Sequence, residues 1–90
     1  PGTLTRIEAL RSRGRMSDDH AADLTDAFTF ISYLRLRHQA SLFERGQQAD
    51  NFLDPESLSP TERRHLRDAF TVVRQAQSNL QYQWQTHLMN

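Results

Sequence analysis

Polar side chains that could bind a ligand interrupt the apolar stripes of two predicted helices. Arg35 and His38 fall within about 40° of the apolar residues of the first long helix on a helical wheel. Gln77 interrupts the stripe of the second long helix in the same way. A guanidinium and an imidazole in a groove could bind a phosphate or a carboxylate. The same side chains could instead form a polar layer inside the helix pair that determines its register, and the residues alone leave both interpretations open.

Catalytic signatures are absent from the sequence. No G-x-S-x-G, H-E-x-x-H, P-loop or G-x-G-x-x-G pattern occurs, and there is no Cys. Asp19, His20 and Asp23 share a helix face and could ligate a hard metal ion, but capping and helix-dipole effects explain these acids better. We therefore predict no catalytic residue and no metal site, and we expect that the domain is not an enzyme by itself.

The composition is that of one small domain. Its 90 residues form a single unit, and the formal net charge of +0 argues against a nucleic-acid coat or an anionic membrane surface as partner. No apolar run reaches the roughly 20 residues that span a bilayer, and no signal peptide is recognisable. The lack of Cys suits a reducing compartment, so a cytoplasmic location is expected. The chain begins Pro-Gly without a Met, and we expect it to be a fragment of a longer protein.

Apolar spacing predicts an all-α fold, with a short N-terminal helix followed by two long antiparallel helices. The short helix is predicted over residues 3–13 and the first long helix over residues 18–45. The predicted caps and stops of these two helices are Thr3 or Thr5, Gly14, Ser17 and Gly46.

The second long helix has the strongest local start signal. Ser59 as N-cap, Pro at the first helical position and Glu62 in a capping box predict a helix over residues 60–88. Asp54 is the predicted cap of a short helical turn over residues 55–58. We expect the long helices to pair with residue numbers that sum to about 108. Their predicted inward stripes are Leu24, Phe28, Ile31, Arg35, His38 and Leu42, and Leu66, Phe70, Val73, Gln77, Leu80 and Trp84.

Four segments resemble a known bacterial domain: TRIEALRSRG (5–14), RLRHQ (35–39), DNFLDP (50–55) and LSPTERRHLRDAF (58–70). The chain resembles the C-terminal substrate-binding helical domain of nucleotidyltransferase-type signal-transduction proteins. Those proteins usually also carry cyclic-nucleotide-binding or cystathionine-β-synthase-type regulatory modules. The similarity extends from Thr5 to about Gln77, and the Gln-rich tail matches least.

The resemblance implies an accessory domain that packs beside an upstream nucleotidyltransferase domain of the same chain. Nucleotide, Mg²⁺ and the catalytic residues would then belong to that upstream domain, and this domain would have no cofactor of its own. The alternative is a helical interaction or dimerisation module that relays a regulatory signal and binds no ligand; exposed apolar flanks would suit a homodimer. The candidate substrate-binding or docking residues are Arg35, Arg37, His38, Gln39, Asn51, Arg63 and Gln77.

Overall fold

The structure, a computed structural model, describes residues 2–48, 50 and 53–89, with the side chains of all of these except residues 87 and 89. Three α-helices follow one another along the chain, and the described residues contain no strand. This architecture confirms the predicted all-α fold of one short and two long helices. The helices are α1 (Thr3–Ser12), α2 (Asp18–Glu44) and α3 (Pro60–Met89), and a 3₁₀ turn (Pro55–Ser57) precedes α3.

Helices α1 and α2 both end at a glycine in the left-handed conformation. At the end of α2, Gly46 has φ 69°, and its N–H donates to the carbonyl of Phe43 at 3.0 Å. The N–H of Gln47 donates to the carbonyl of Leu42 at 2.9 Å, which completes a Schellman motif. Gly14, with φ 72°, ends α1 in the same way. Both predicted helix stops are confirmed.

The predicted caps of the long helices are confirmed, whereas that of α1 is wrong. Ser17 Oγ accepts a hydrogen bond from the N–H of His20 at 3.1 Å. Ser59 and Glu62 form the reciprocal capping box, with hydrogen bonds of 2.9 and 3.1 Å. Helix α1 instead begins after Gly2, without a side-chain cap, because the helix already includes Thr3.

The interface between α2 and α3 is built around small and aliphatic side chains. On α2 the buried positions include Ala27 and Leu34, and on α3 they are Ala69 and Ala76. Half-buried aliphatic residues separate them. We call the buried and half-buried positions along each helix its seam, and each seam follows the alternating three- and four-residue spacing of a heptad pattern. Alanines at the contact allow two helix backbones to approach closely.

The predicted inward stripes were wrong in part: Leu42 is buried and seven further predicted positions are half buried, but four are exposed. The structure exposes Arg35 and Gln77, and places Leu34 and Ala76 in the seam instead. Phe70 is likewise half exposed beside the buried Ala69. The helical wheel gave most weight to large side chains, whereas close packing of the two backbones favours the adjacent stripe that contains the alanines.

The register of the two long helices also differs from the prediction. Arg37 pairs with Glu62, and the ring of Phe30 stacks on His65 with the ring centroids 3.7 Å apart. Helix α3 therefore begins beside Arg37 and is displaced by roughly ten residues along α2 from the predicted pairing. The reason is that the described part of the connection before α3 lies along the last turns of α2. The N-terminus of α3 is therefore beside Arg37 and not beside the C-terminus of α2.

A small core joins α1 to the beginning of the hairpin. Ile7, Met16 and Ala21 are buried together, and the half-buried Leu10 and Leu24 pack against them. Arg11 pairs with Asp18 at 3.2 Å, so an ion pair also links α1 to the first turn of α2. This core fastens α1 to the N-terminal half of α2.

The molecule is elongated, with extents of 54 × 28 × 22 Å. Helix α3 extends past the start of α2, because Gln83 already lies beside the carbonyl of Arg15. Trp84 is therefore 61% exposed, and its predicted place in the core was wrong. None of the described helices combines the length and apolar character needed to cross a membrane.

Candidate functional site

Polar side chains converge where the connection before α3 folds back on α2. Three contacts hold this junction together: Arg37 with Glu62, His38 with Asp50, and Arg63 with two backbone carbonyls. We call these contacts the linker clasp. They join α2, the connecting segment and the first turn of α3, so the local folding of all three elements positions the clasp.

The Arg37–Glu62 pair is the strongest contact of the clasp. The guanidinium donates two parallel hydrogen bonds to the carboxylate, at 2.6 and 3.2 Å, and lies 5.5 Å from the ring centroid of Tyr33. The same carboxylate accepts the N–H of Ser59 in the capping box. These hydrogen bonds, that from Arg37 first, lower the pKa of Glu62 to about 2. One carboxylate thus both caps α3 and joins it to α2.

The second contact joins the connecting segment to α2. His38 Nε2 lies 2.7 Å from Asp50 Oδ1, and the imidazole is only 16% exposed. When the ring is neutral, Nε2–H can donate to the carboxylate, and when it is protonated the contact is an ion pair. In either form, the bond holds Asp50 against the helix.

Arg63 provides the third contact from within α3. Its Nη1 donates to the carbonyls of Pro55 and Leu58, each at 3.3 Å. These acceptors belong to the 3₁₀ turn and to the residue that follows it, and the turn itself is capped by Asp54, which accepts the N–H of Glu56 at 3.0 Å. The contact therefore holds the turn against the start of α3.

A cleft of about 390 Å³ lies between α2 and the connecting segment, next to the clasp. Leu34, which is 1% exposed, forms its apolar floor, and Arg45 lies at one end with its Nε bonded to the carbonyl of Ser41. Both polar and apolar groups face the cleft, which suits a small polar molecule. The described residues include no group of His, Asp and Glu able to hold a metal ion. The lining residues are Leu34, Arg37, His38, Ser41, Arg45, Leu53, Asp54 and Ser57.

The structure separates the sequence-predicted site residues into two groups. Arg37, His38 and Arg63 come together in the linker clasp, and the first two also line the cleft. The other described candidates, Arg35, Gln39 and Gln77, are exposed and line neither the clasp nor the cleft, and Asn51 lies outside the described residues.

The interpretation of Arg35, His38 and Gln77 as a polar layer inside the hairpin was wrong. Arg35 and Gln77 are exposed, and the described residues include no buried polar or charged side chain. The reason is that Leu34 and Ala76, one position earlier, are buried instead. His38, which is half buried, contacts the connecting segment and not α3.

Sequence reasoning missed Asp50 and Arg45, and assigned Glu62 only as a cap. Asp50 opens the DNFLDP segment, so the family-like motif was the one signal that pointed to it. No periodicity links it to His38, because the pair forms only after the chain turns back at Gly46. The partnership of Glu62 with Arg37 likewise depends on how the two helices pack.

Fold and site together define a class of protein: an all-α domain built on a helical hairpin, with a small polar cleft where the connecting segment folds back. The chain belongs to the family described as putative nucleotidyltransferase substrate binding domain, whose model matches residues 1–84. The family resemblance expected from the sequence motifs is thereby confirmed. The chain has no significant match among the curated proteins or the solved structures. The family description is that of a substrate-binding domain, not of a catalytic one.

Proposed function

We propose that this domain holds a substrate beside the catalytic domain of a bacterial nucleotidyltransferase-type signal-transduction protein. The catalytic domain lies upstream in the same cytoplasmic chain and contains the nucleotide, the Mg²⁺ and the catalytic carboxylates. The helical domain contributes binding and orientation, not chemistry. Membership of a substrate-binding family supports this assignment.

The observation that supports the proposal most is the cleft beside the linker clasp. Its volume of about 390 Å³ is within the usual range of sites for small molecules. The half-buried Leu53 offers an apolar surface, while His38 and Ser41 offer hydrogen-bonding groups at the same opening. A small substrate with an apolar body and a polar group fits this combination.

The clasp gives the cleft a defined shape. One wall is α2 and the other is the connecting segment, and the bond of His38 to Asp50 holds the two walls together. Arg63 holds the 3₁₀ turn at the far end. A substrate that contacts both walls stabilises the same arrangement that the clasp already favours, so the site is organised before binding and less entropy is lost on binding.

The test is a two-dimensional amide NMR titration of this chain with a set of small alcohols and amines that have an apolar body, repeated in the presence of the upstream catalytic domain. We expect amide shifts at the cleft residues on α2 and the 3₁₀ turn. Ser41→Trp places a large ring in the cleft and should abolish those shifts. Ala40→Trp, at the adjacent exposed position outside the cleft lining, is the matched control and should leave them unchanged. Shifts that avoid the cleft in every titration would refute substrate binding there.

One observation favours the alternative function, an interaction or dimerisation module. Leu36 and Phe43 are 66% and 84% exposed, and their spacing of seven residues puts them on the side of α2 opposite to Leu34. Sedimentation velocity at several concentrations tests this alternative. A concentration-dependent dimer that Phe43→Ser abolishes, together with no response of the cleft to any titrant, would favour the interaction module.

A further inference from the structure

A row of arginines follows one face of α3 from Arg63, which belongs to the linker clasp, towards the C-terminus. Arg63, Arg67, Phe70 and Arg74 follow the spacing i, i+4, i+7 and i+11, which places them on one face of a helix. All four are exposed, and the ring of Phe70 keeps 49% of its surface in solvent. We call these four residues the arginine stripe.

The arginine stripe contains no carboxylate. The acids of α3 are Glu62 and Asp68. Glu62 is engaged by Arg37 at the seam, and Asp68 lies roughly 130° from the centre of the stripe on the helical wheel. The same face continues towards the C-terminus through Gln77, Ser78 and Gln81, which are uncharged. None of the three guanidinium groups faces an acid of its own helix, and none forms an ion pair with a described residue.

Arg35 of α2 adds a further positive charge on the same side of the hairpin. In an antiparallel helix pair, the positions that follow the seam by one residue project to a common side. Arg35 follows the buried Leu34, just as Phe70 follows the buried Ala69. Arg35 is exposed and makes no ion pair within the described part of the chain.

The three arginines of the stripe differ in how far other groups of the protein hold their side chains in place. Arg63 is oriented by two carbonyls that use only its Nη1, so its remaining N–H groups stay available. Arg74 contacts the hydroxyl of Thr71 at 3.5 Å, and Arg67 forms no ion pair with a described residue. One arginine is thus fixed in position, and two long side chains beside it can adapt to a ligand.

We propose that the arginine stripe binds the polyphosphate group of a ligand. Guanidinium groups bind phosphate oxygens through paired, charge-assisted hydrogen bonds. Arg67 and Arg74 are separated by about 10 Å along the helix axis, which two flexible arginine side chains can bridge to reach one triphosphate. The exposed ring of Phe70 between them offers a surface on which a base can stack. That the phosphates belong to the nucleotide of the upstream catalytic domain rests on the proposed function; the affinity of the stripe for phosphate does not.

The test measures binding of inorganic tripolyphosphate and of ATP to this chain by amide NMR, at low and at physiological salt. We expect shifts at the arginine stripe, with an affinity that falls as salt rises. Arg67→Gln combined with Arg74→Gln should weaken binding of both ligands by about tenfold or more. Arg63 is left intact, because it also holds the 3₁₀ turn.

The matched control is Arg13→Gln combined with Arg64→Gln. It removes the same charge at exposed positions outside the stripe and should change the affinity less than about twofold. Equal weakening by both double variants would mean that only the overall charge matters, and this would refute the stripe as a site. Tripolyphosphate shifts that leave the stripe unaffected would also refute it. Circular dichroism confirms that each variant keeps its helices.

Comparison of the two ligands identifies the source of the phosphate. Tighter binding of ATP than of tripolyphosphate, with the difference removed by Phe70→Leu, supports a nucleotide on the stripe. Equal affinity supports recognition of the phosphate group alone. The experiment on the cleft can fail independently of this one. Ser41→Trp does not alter the arginine stripe, and binding at the cleft is detected by amide shifts of cleft residues that do not belong to the stripe.

Discussion

The linker clasp and the arginine stripe use the same kind of side chain for different purposes. In the clasp, Arg37 is held by both oxygens of Glu62, and Arg63 is held by backbone carbonyls. In the stripe, Arg67 and Arg74 project into solvent from the outer face of α3. Arg63 lies on the same face of α3 as Arg67 and Arg74, so the angle on the helix does not separate the two roles. An arginine joins two elements where another segment of the chain lies within its reach, as the 3₁₀ turn does for Arg63. Four comparisons test the packing and the contacts on which this difference depends, and we describe them from the largest expected effect to the smallest.

Leu34→Ala should have the largest effect, because Leu34 is the most deeply buried side chain described and forms the floor of the cleft. Loss of a buried leucine costs about 2–5 kcal/mol of unfolding free energy. Leu36→Ala, two positions along the same helix but exposed, should change it by less than about 0.5 kcal/mol. Urea unfolding followed by circular dichroism measures both. Similar effects of the two variants would contradict the observed seam.

Ser59→Ala should have the next largest effect, because it removes the hydroxyl that accepts the N–H of Glu62. Loss of an N-cap side chain costs about 1 kcal/mol. Ser78→Ala, at an exposed position in the middle of α3, serves as control and should be neutral or slightly stabilising. If Ser59→Ala is as harmless as the control in urea unfolding, the capping box does not help to hold the clasp.

The clasp should also make stability depend on acid pH. The hydrogen bonds from Arg37 and from the Ser59 N–H lower the pKa of Glu62 to about 2 on folding, from an ordinary value of 4.5. Its contribution is therefore complete above about pH 4.5 and is lost as the pH falls towards 2. The difference in thermal midpoint between the unmodified chain and Glu62→Gln should be constant near neutral pH and shrink over that acid range. A difference that is independent of pH would contradict the role of the Glu62 charge.

The smallest expected effect is the difference in thermal midpoint between Arg37→Gln and Arg67→Gln. This pair of variants compares a clasp arginine with a stripe arginine directly. Both variants remove one positive charge from an exposed surface. Only Arg37 has a carboxylate partner, so its loss should lower the thermal midpoint, whereas the loss of Arg67 should leave it unchanged. Differential scanning calorimetry at low salt measures the two midpoints. A larger fall for Arg67→Gln would reverse the assignment of structural and available arginines.

Local features of the fold could be predicted from the sequence, because they depend on residues close together in the chain. The helix stops at Gly14 and Gly46 follow from glycine alone, since it adopts positive φ without strain. The capping box at Ser59 and Glu62 is likewise complete within four residues. The family motifs also pointed to Arg37, His38 and Arg63, which the structure brings together in the clasp.

Contacts between distant segments could not be predicted in the same way. The pairing of His38 with Asp50, and of Arg37 with Glu62, exists only because the connecting segment lies along α2 and displaces the start of α3. Nothing in the local sequence around His38 specifies that path. The cleft beside the clasp is a consequence of the same displacement.

The sequence by itself determined which segments are helical, where they begin and end, and the family to which the chain belongs. The tertiary structure decided which of two adjacent positions became buried at several points along each long helix, such as Leu34 and not Arg35. The physical reason is that the choice depends on how closely two backbones can approach. The approach is possible because the buried positions include Ala27, Ala69 and Ala76, and it leaves Arg35 and Phe70 in solvent. The periodicity of a single helix does not show how closely its partner will approach.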